Sequence, residues 1–269
     1  MSALVREAVF AGSWYPANPR DLEAFIERAT PKIAKAPALA VVAPHAGYKY
    51  SGAIAAETYA RVQVPASAIV LCPNHRVPPP VLAVWAKGSW TTPLGPVPVD
   101  EELAARLIEE ARPLLRADTF PHAKEHAVEL QLPLLRFHRP DVKVVPIVVA
   151  TDDQDELAEL GHAIARAIKG RDALLVASSD MNHHESAAVS KRKDMKALER
   201  VLALDPEGLF RVVEAEDVSM CGVRPACVVL HAAKDLGAKR AELVRYGSSG
   251  DVTGDDESVV GYAGVVVQA

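Results

Sequence analysis

Three places in the sequence share one pattern: a run of apolar strand formers stops, and a histidine comes next. LAVVAP (39–44) runs into His45, AIVLCPN (68–74) into His75, and ALLVASSDMN (173–182) into His183 and His184. In open α/β sheets the loops beyond the carboxyl ends of neighbouring strands converge on one crevice. Imidazoles far apart in the chain are therefore expected to meet there, where they can ligate a metal or carry protons near neutral pH. Any one of them alone reads as a loop histidine bonded to backbone. Recurrence at equivalent strand ends is what points to a site. His138, His162 and His231 fall on helical patterns instead and are read as ordinary helix-face residues.

The flanking residues fit such a crevice. Pro44 and Pro73 end the strands, Gly47 and Gly52 permit tight turns, and Tyr48 and Tyr50 offer an aromatic wall with hydroxyl groups. Asp180 stands three residues before His183, placed to hold the second nitrogen of an imidazole. The competing reading makes Ser178, Ser179 and Asp180 a cap for the next helix. A rival metal pattern lies in PHAKEHAVELQLP, where His122, Glu125 and His126 follow the order H-x-x-E-H of the inverted zinc proteases. So short a pattern arises often by chance, and Pro133 limits the helix that would carry it. Glu125, His126 and Glu129 are read instead as support for the main site or as a polar helix face.

The three cysteines, Cys72, Cys221 and Cys227, are odd in number and include no CxxC, which excludes a disulfide framework and a four-thiolate zinc site. Cys72 and Cys227 sit within apolar runs and read as buried small hydrophobes. Cys221, in SMCGVRP at a segment boundary, is expected to be presented. The acidic stretch SSGDVTGDDES (248–258) lacks the ligand alternation of an EF-hand and reads as a solvated turn.

Apolar runs at 39–43, 68–72, 81–85, 142–149, 173–178, 242–246 and 259–267 predict strands covered on both faces. Helical spacing predicts helices starting at Pro19 and over 53–62, 100–112, 123–137, 153–169, 187–203, 206–215 and 223–236. Leu22, Phe25, Ile26, Ala29 and Ile33 share the first helix's apolar spacing, with Pro31 placed to break it. This alternation predicts an α/β layered sheet in one domain over residues 1–269. With 30 Lys and Arg against 35 Asp and Glu, 49% hydrophobic residues and no block of like charge, nothing marks a nucleic-acid or anionic-membrane partner. No apolar run approaches the ~20 residues of a bilayer span, and the start shows no signal-peptide pattern, so a cytoplasmic protein is expected.

AGSWYP (11–16), APHAGYKYSG (43–52), PNHR (73–76), TPLG (92–95), EHAVELQLP (125–133), SSDMNHH (178–184), CGVRP (221–225) and the closing SGDV and SVVGYA resemble, in collinear order, the Memo family. That family takes its name from a mammalian mediator of cell motility. The resemblance implies a class III extradiol dioxygenase-like fold: three α/β/α layers around a mostly parallel or mixed sheet. It also implies metal ligation by His45, His75 and Cys221. His183 and Asp180 would stand beside the site and Trp14 and Tyr50 would line its pocket, with His183, Asp180 and Tyr50 as catalytic candidates and Glu125 and His126 in support. The ring-cleaving enzymes use two histidines and a carboxylate, whereas here a thiolate would be the third ligand. A single transition metal is expected, iron or copper first and zinc next.

Three functions follow. One is a metal-dependent redox or oxygen-using enzyme with His183 as proton carrier. Another is a module that binds a small molecule or peptide in the cleft, and the third is a zinc hydrolase. The resemblance also points to a radical-SAM protein as a pathway partner.

Overall fold

The computed structural model describes residues 4–269. Along them run β1 (Val5–Arg6), α1 (Pro19–Ala29), β2 (Ala40–Ala43), a π-helical turn (Tyr48–Gly52), α2 (Ala53–Ala60), β3 (Ser67–Cys72), β4 (Val81–Val84), β5 (Ser89–Trp90), β6 (Val97–Pro98) and α3 (Glu101–Glu110). There follow β7 (Arg116–Ala117), a 3-10 turn (Phe120–His122), α4 (Leu132–His138), β8 (Lys143–Ala150), α5 (Gln154–Ala167), β9 (Ala173–Ser178), β10 (His183–Glu185), α6 (Ala187–Leu202), α7 (Pro206–Ala215), α8 (Val223–Asp235), β11 (Arg240–Ser248), α9 (Gly250–Thr253) and β12 (Val259–Gln268).

The seven apolar runs become β2, β3, β4, β8, β9, β11 and β12, which build one mixed sheet in the order β10-β12-β2-β9-β3-β8-β4-β7, with β11 on the other side of β12. Its centre, β2-β9-β3-β8, is parallel. Residues such as Val41, Ile69, Val70, Leu175, Val176 and Ile147 are fully buried there, as expected of strands with helices on both faces. On one face α8 lies across β2, β9, β3 and β8, flanked by α5 and α7, while α2 covers β2, β11 and β12 on the other with α1 and α4 beside it. The close neighbours of β12 reflect this layering: Gly264 abuts Thr58 of α2, and Gly261 abuts Asp194 of α6. A three-layer α/β/α arrangement results. A small sheet, β1-β5-β6, is added near the start of the chain. None of the described helices is long and apolar enough to cross a membrane.

Helix starts follow local capping chemistry. Asn18 accepts the N–H groups of Arg20 and Asp21 ahead of α1, and Asp153 caps α5 in the same way. Ser186 caps α6, so the cap expected from Ser178, Ser179 and Asp180 does not form. Helix α1 ends at Ala29, so Pro31 breaks the pattern as expected, and Ile33, counted in its apolar spacing, falls outside it and is exposed. One further expectation fails. The helix expected over 123–137 is confined to α4, and the residues before it form turns. There the buried Glu125 side chain accepts the N–H groups of His75 and Ala127, drawing that segment's backbone into turns.

Candidate metal centre

The register of the parallel strands levels their ends: Ala43 of β2 pairs with Ser178 of β9, and Leu71 of β3 with Ala177. The chain thus leaves three adjacent strands at one rim. His45 follows β2, His75 follows β3, and the loop after β9 leads to His183 in β10. Cys221 arrives from elsewhere, one residue before Gly222, the N-cap of α8.

These residues meet. The rings of His45 and His75 lie 5.4 Å apart between centroids, and His45, His75 and Cys221 offer ligand atoms all within 4.8 Å of one another. The hydrogen bonds fix which atoms those are. The Ser178 hydroxyl donates to the Ala127 carbonyl at 2.7 Å, so its oxygen must accept from His45 Nδ1, 2.9 Å away. Gln131 also donates to it, at 2.9 Å. That leaves the Nε2 lone pair of His45 facing Cys221 Sγ at 3.2 Å. On His75, Nδ1 donates to the carboxylate of Glu125 at 3.0 Å, and its backbone N–H donates to the other oxygen at 2.8 Å. Each imidazole has one nitrogen tied and the other free, the arrangement typical of metal-bound histidines.

Electrostatics favour a neutral nitrogen donor at His45. Burial, helped by the neighbouring charge of His75, lowers the His45 pKa to about 3. Burial alone would raise Glu125, but the hydrogen bond and charge of His75, together with His126, bring it down to about 2, so it stays a carboxylate. Cys221 moves the other way. Burial, reinforced by Asp180, pushes its thiol far up, so the sulfur keeps its proton until a cation replaces it. The donors fit a metal. A cation about 2.0–2.1 Å from nitrogen and about 2.3 Å from sulfur requires nitrogen and sulfur to be close neighbours, as His45 and Cys221 are.

Around this cluster opens a cleft of about 450 Å³, lined by Trp14, Tyr50, His126, Asp180, His183 and Val260 among others. The His126 ring stacks 4.7 Å from His75 and lies 4.3 Å from Trp14. Tyr50 projects from the π-helical turn and is partly exposed at the mouth. His183 contributes its ring to the wall rather than to the cluster, with Nδ1 donating to the Ser219 carbonyl at 2.9 Å and Nε2 left free.

Several expectations are corrected. Asp180 does not hold the His183 ring. Its carboxylate accepts the backbone N–H groups of His45 and Ala46 at 2.8 and 3.2 Å, and burial raises its pKa to about 6. Its own N–H donates to Cys221 Sγ at 3.3 Å. The H-x-x-E-H pattern, already set aside as a chance match, does not assemble: His122 is buried between Trp85 and Trp90, with Nε2 on the Ala83 carbonyl. Glu129 turns from the cleft to hold Arg6, the Tyr15 hydroxyl and the Phe10 N–H.

Asn182, which the sequence reading passed over, joins the two loops that carry Asp180 and Cys221. Fully buried, it accepts from the N–H and hydroxyl of Ser219 and donates to Glu185 and Ser190. Its backbone N–H donates to Asp194. Only its place in SSDMNHH could have marked it.

Fold and rim together define a mixed α/β protein with two histidines and a cysteine gathered over the carboxyl ends of its parallel strands. The sequence profile of the Memo-like proteins matches residues 6–266, and the chain belongs to that family. It is 38% identical to a MEMO1 family protein of Methanopyrus kandleri, with 97% of this chain and 98% of that one aligned. It is 39% identical to one of Pyrobaculum aerophilum over the same shares. The crystal structure of an uncharacterized protein of Escherichia coli K12 is similar in fold alone, with a TM-score of 0.52 and 17% identity over 86% of this chain and 99% of that one.

Proposed function

We propose that Nε2 of His45, Nε2 of His75 and Sγ of Cys221 hold one transition-metal ion, and that the chain uses it for redox or oxygen chemistry on a small molecule lodged in the cleft. One observation carries this reading: three donor atoms converge within 4.8 Å, while the second nitrogen of each imidazole is already committed to Ser178 or Glu125. A bound ion would supply a Lewis-acidic centre with positions open to the cleft. One soft sulfur with two imidazoles suits copper, iron or zinc.

The remaining roles belong to the chain itself. Trp14, Tyr50 and Val260 form the wall that orients a small molecule and sheds water from it. The free Nε2 of His183 faces the same space and can take or return a proton, while the Ser219 carbonyl keeps the ring in one tautomer. The Asp180 carboxylate fixes the His45 backbone.

Metal analysis of anaerobically purified wild-type protein beside Cys221→Ser tests the reading. At least one metal per chain in the wild type is expected, with affinity for the Cys221 site falling on the order of 100-fold in the variant. Oxygen uptake that depends on both the metal and an added small molecule separates an enzyme from a binding module. Equal metal content in the two proteins overturns the ligand assignment.

A further inference from the structure

The Glu125 carboxylate stands between two imidazoles and is hydrogen-bonded to only one. Its Oε1 lies 3.0 Å from Nδ1 of His75 and 3.3 Å from Nδ1 of His126. The first contact is a hydrogen bond. The second is not: His126 Nδ1 is buried and has no hydrogen-bond partner. A buried polar nitrogen left this way forfeits its hydration without return, which is uncommon and calls for an explanation. The residue is only 6% exposed and Glu125 not at all, so the nitrogen is shielded from bulk solvent. His75, Glu125 and His126 nevertheless offer three ligand atoms within 4.8 Å of one another. The separations of 3.0 and 3.3 Å match donors gathered about 2.0–2.1 Å from one cation, once the His126 ring, stacked 4.7 Å from His75, turns to aim its Nδ1 lone pair at it.

We propose that Nδ1 of His75, the Glu125 carboxylate and Nδ1 of His126 form a second divalent-cation site, back to back with the first and sharing the His75 ring. This rests on the reading above for the Nε2 side of that ring. When both sites fill, the Nδ1 proton of His75 leaves to solvent and the ring bridges as an imidazolate. His126 keeps its single proton on Nε2, toward the cleft. The carboxylate and the imidazolate together offset the added cation's charge. With two nitrogens, an oxygen and no sulfur, this site suits a harder divalent ion such as ferrous iron, whereas the thiolate site is the tighter one for zinc and for softer copper. The two halves of the cluster therefore differ in metal preference though one ring joins them.

Equilibrium dialysis of the demetallated full chain against zinc tests this, with cobalt substitution to read thiolate-to-metal absorption. Wild type is expected to bind two equivalents. His126→Ala is expected to bind one and keep the cobalt–thiolate band, and Cys221→Ser to bind one and lose it. His126→Gln, closer in volume, serves if the alanine variant fails to fold. An anomalous difference map of zinc-loaded wild-type crystals should show two peaks flanking the His75 ring. Saturation of the wild type at one equivalent with the thiolate band present overturns the second site and leaves the first. Two equivalents retained in a folded His126 variant also overturns it. Absence of the band in wild type, with one equivalent lost only in the His126 variants, supports the second site and sinks the first.

Discussion

Glu125 decides the tautomer of His75, and through it which nitrogen faces the cleft. Glu125→Gln keeps the shape but replaces an acceptor-only carboxylate with an amide. The amide oxygen can accept on one side only, so its NH2 group meets either the His75 backbone N–H or the donors on the other oxygen, His75 Nδ1 and the Ala127 N–H, and metal affinity should fall roughly 10–100-fold, read by competition with a chromophoric chelator. Asn182 acts one step further out. Asn182→Ala removes the acceptor of the Ser219 N–H and hydroxyl and the amide that reaches the buried Ser190, and stability should fall by about 1–2 kcal/mol, measured by urea unfolding. Because Ser219 lies two residues before Cys221, the same variant should also bind metal more weakly. An unchanged affinity would show that the cysteine loop is held by other contacts.

Among the elements, the β9 loop crosses closely over the start of α8. A Cβ on Gly222 would stand 2.3 Å from the Ser179 Cβ and 2.5 Å from the Ser178 carbonyl, so Gly222→Ala must push the Cys221 loop off the rim. A loss of about 1–3 kcal/mol is expected, together with loss of the cobalt–thiolate band. The strands that set this rim were legible in the sequence. β2, β3 and β9 are short apolar runs cut off by proline or by small polar residues, and parallel pairing then brought His45 and His75 together. The 123–137 segment was not legible. Its leucines and valines are buried all round, so helical spacing could not distinguish α4 from the turns before it, and backbone capture by the Glu125 side chain is not encoded in periodicity. The arrival of Cys221 came from family resemblance, since nothing in the spacing of SMCGVRP says which strand end α8 will meet. The short strands β1, β5, β6, β7 and β10 have too few residues to show a period.

At the scale of the molecule, the metal-free protein concentrates neutral imidazoles in its interior, and this sets its response to acid. Burial chiefly holds His45 and His126 near a pKa of about 3 and His122 near about 4, against about 6.5 when unfolded. The unfolded chain therefore binds protons first as pH falls. Their contribution to stability is complete above about pH 6.5 and is lost as pH drops toward 3–4, each histidine adding a slope of up to ~1.4 kcal/mol per pH unit. Asp180 and Asp194, raised to about 6 chiefly by burial, act in the opposite sense between about pH 6 and 4. Three imidazoles against two carboxyls leave a net acid destabilisation, so the melting temperature of the metal-free protein should fall steadily from pH 6.5 to 4. A flat profile would mean that the imidazoles become protonated in the folded protein.

X-ray absorption at the metal edge of protein loaded with one equivalent of zinc reads the central cluster directly. A first shell with one sulfur at about 2.3 Å and imidazole nitrogens at about 2.0–2.1 Å is expected, with the sulfur lost in Cys221→Ser. A shell of nitrogen and oxygen alone in the wild type would contradict the account.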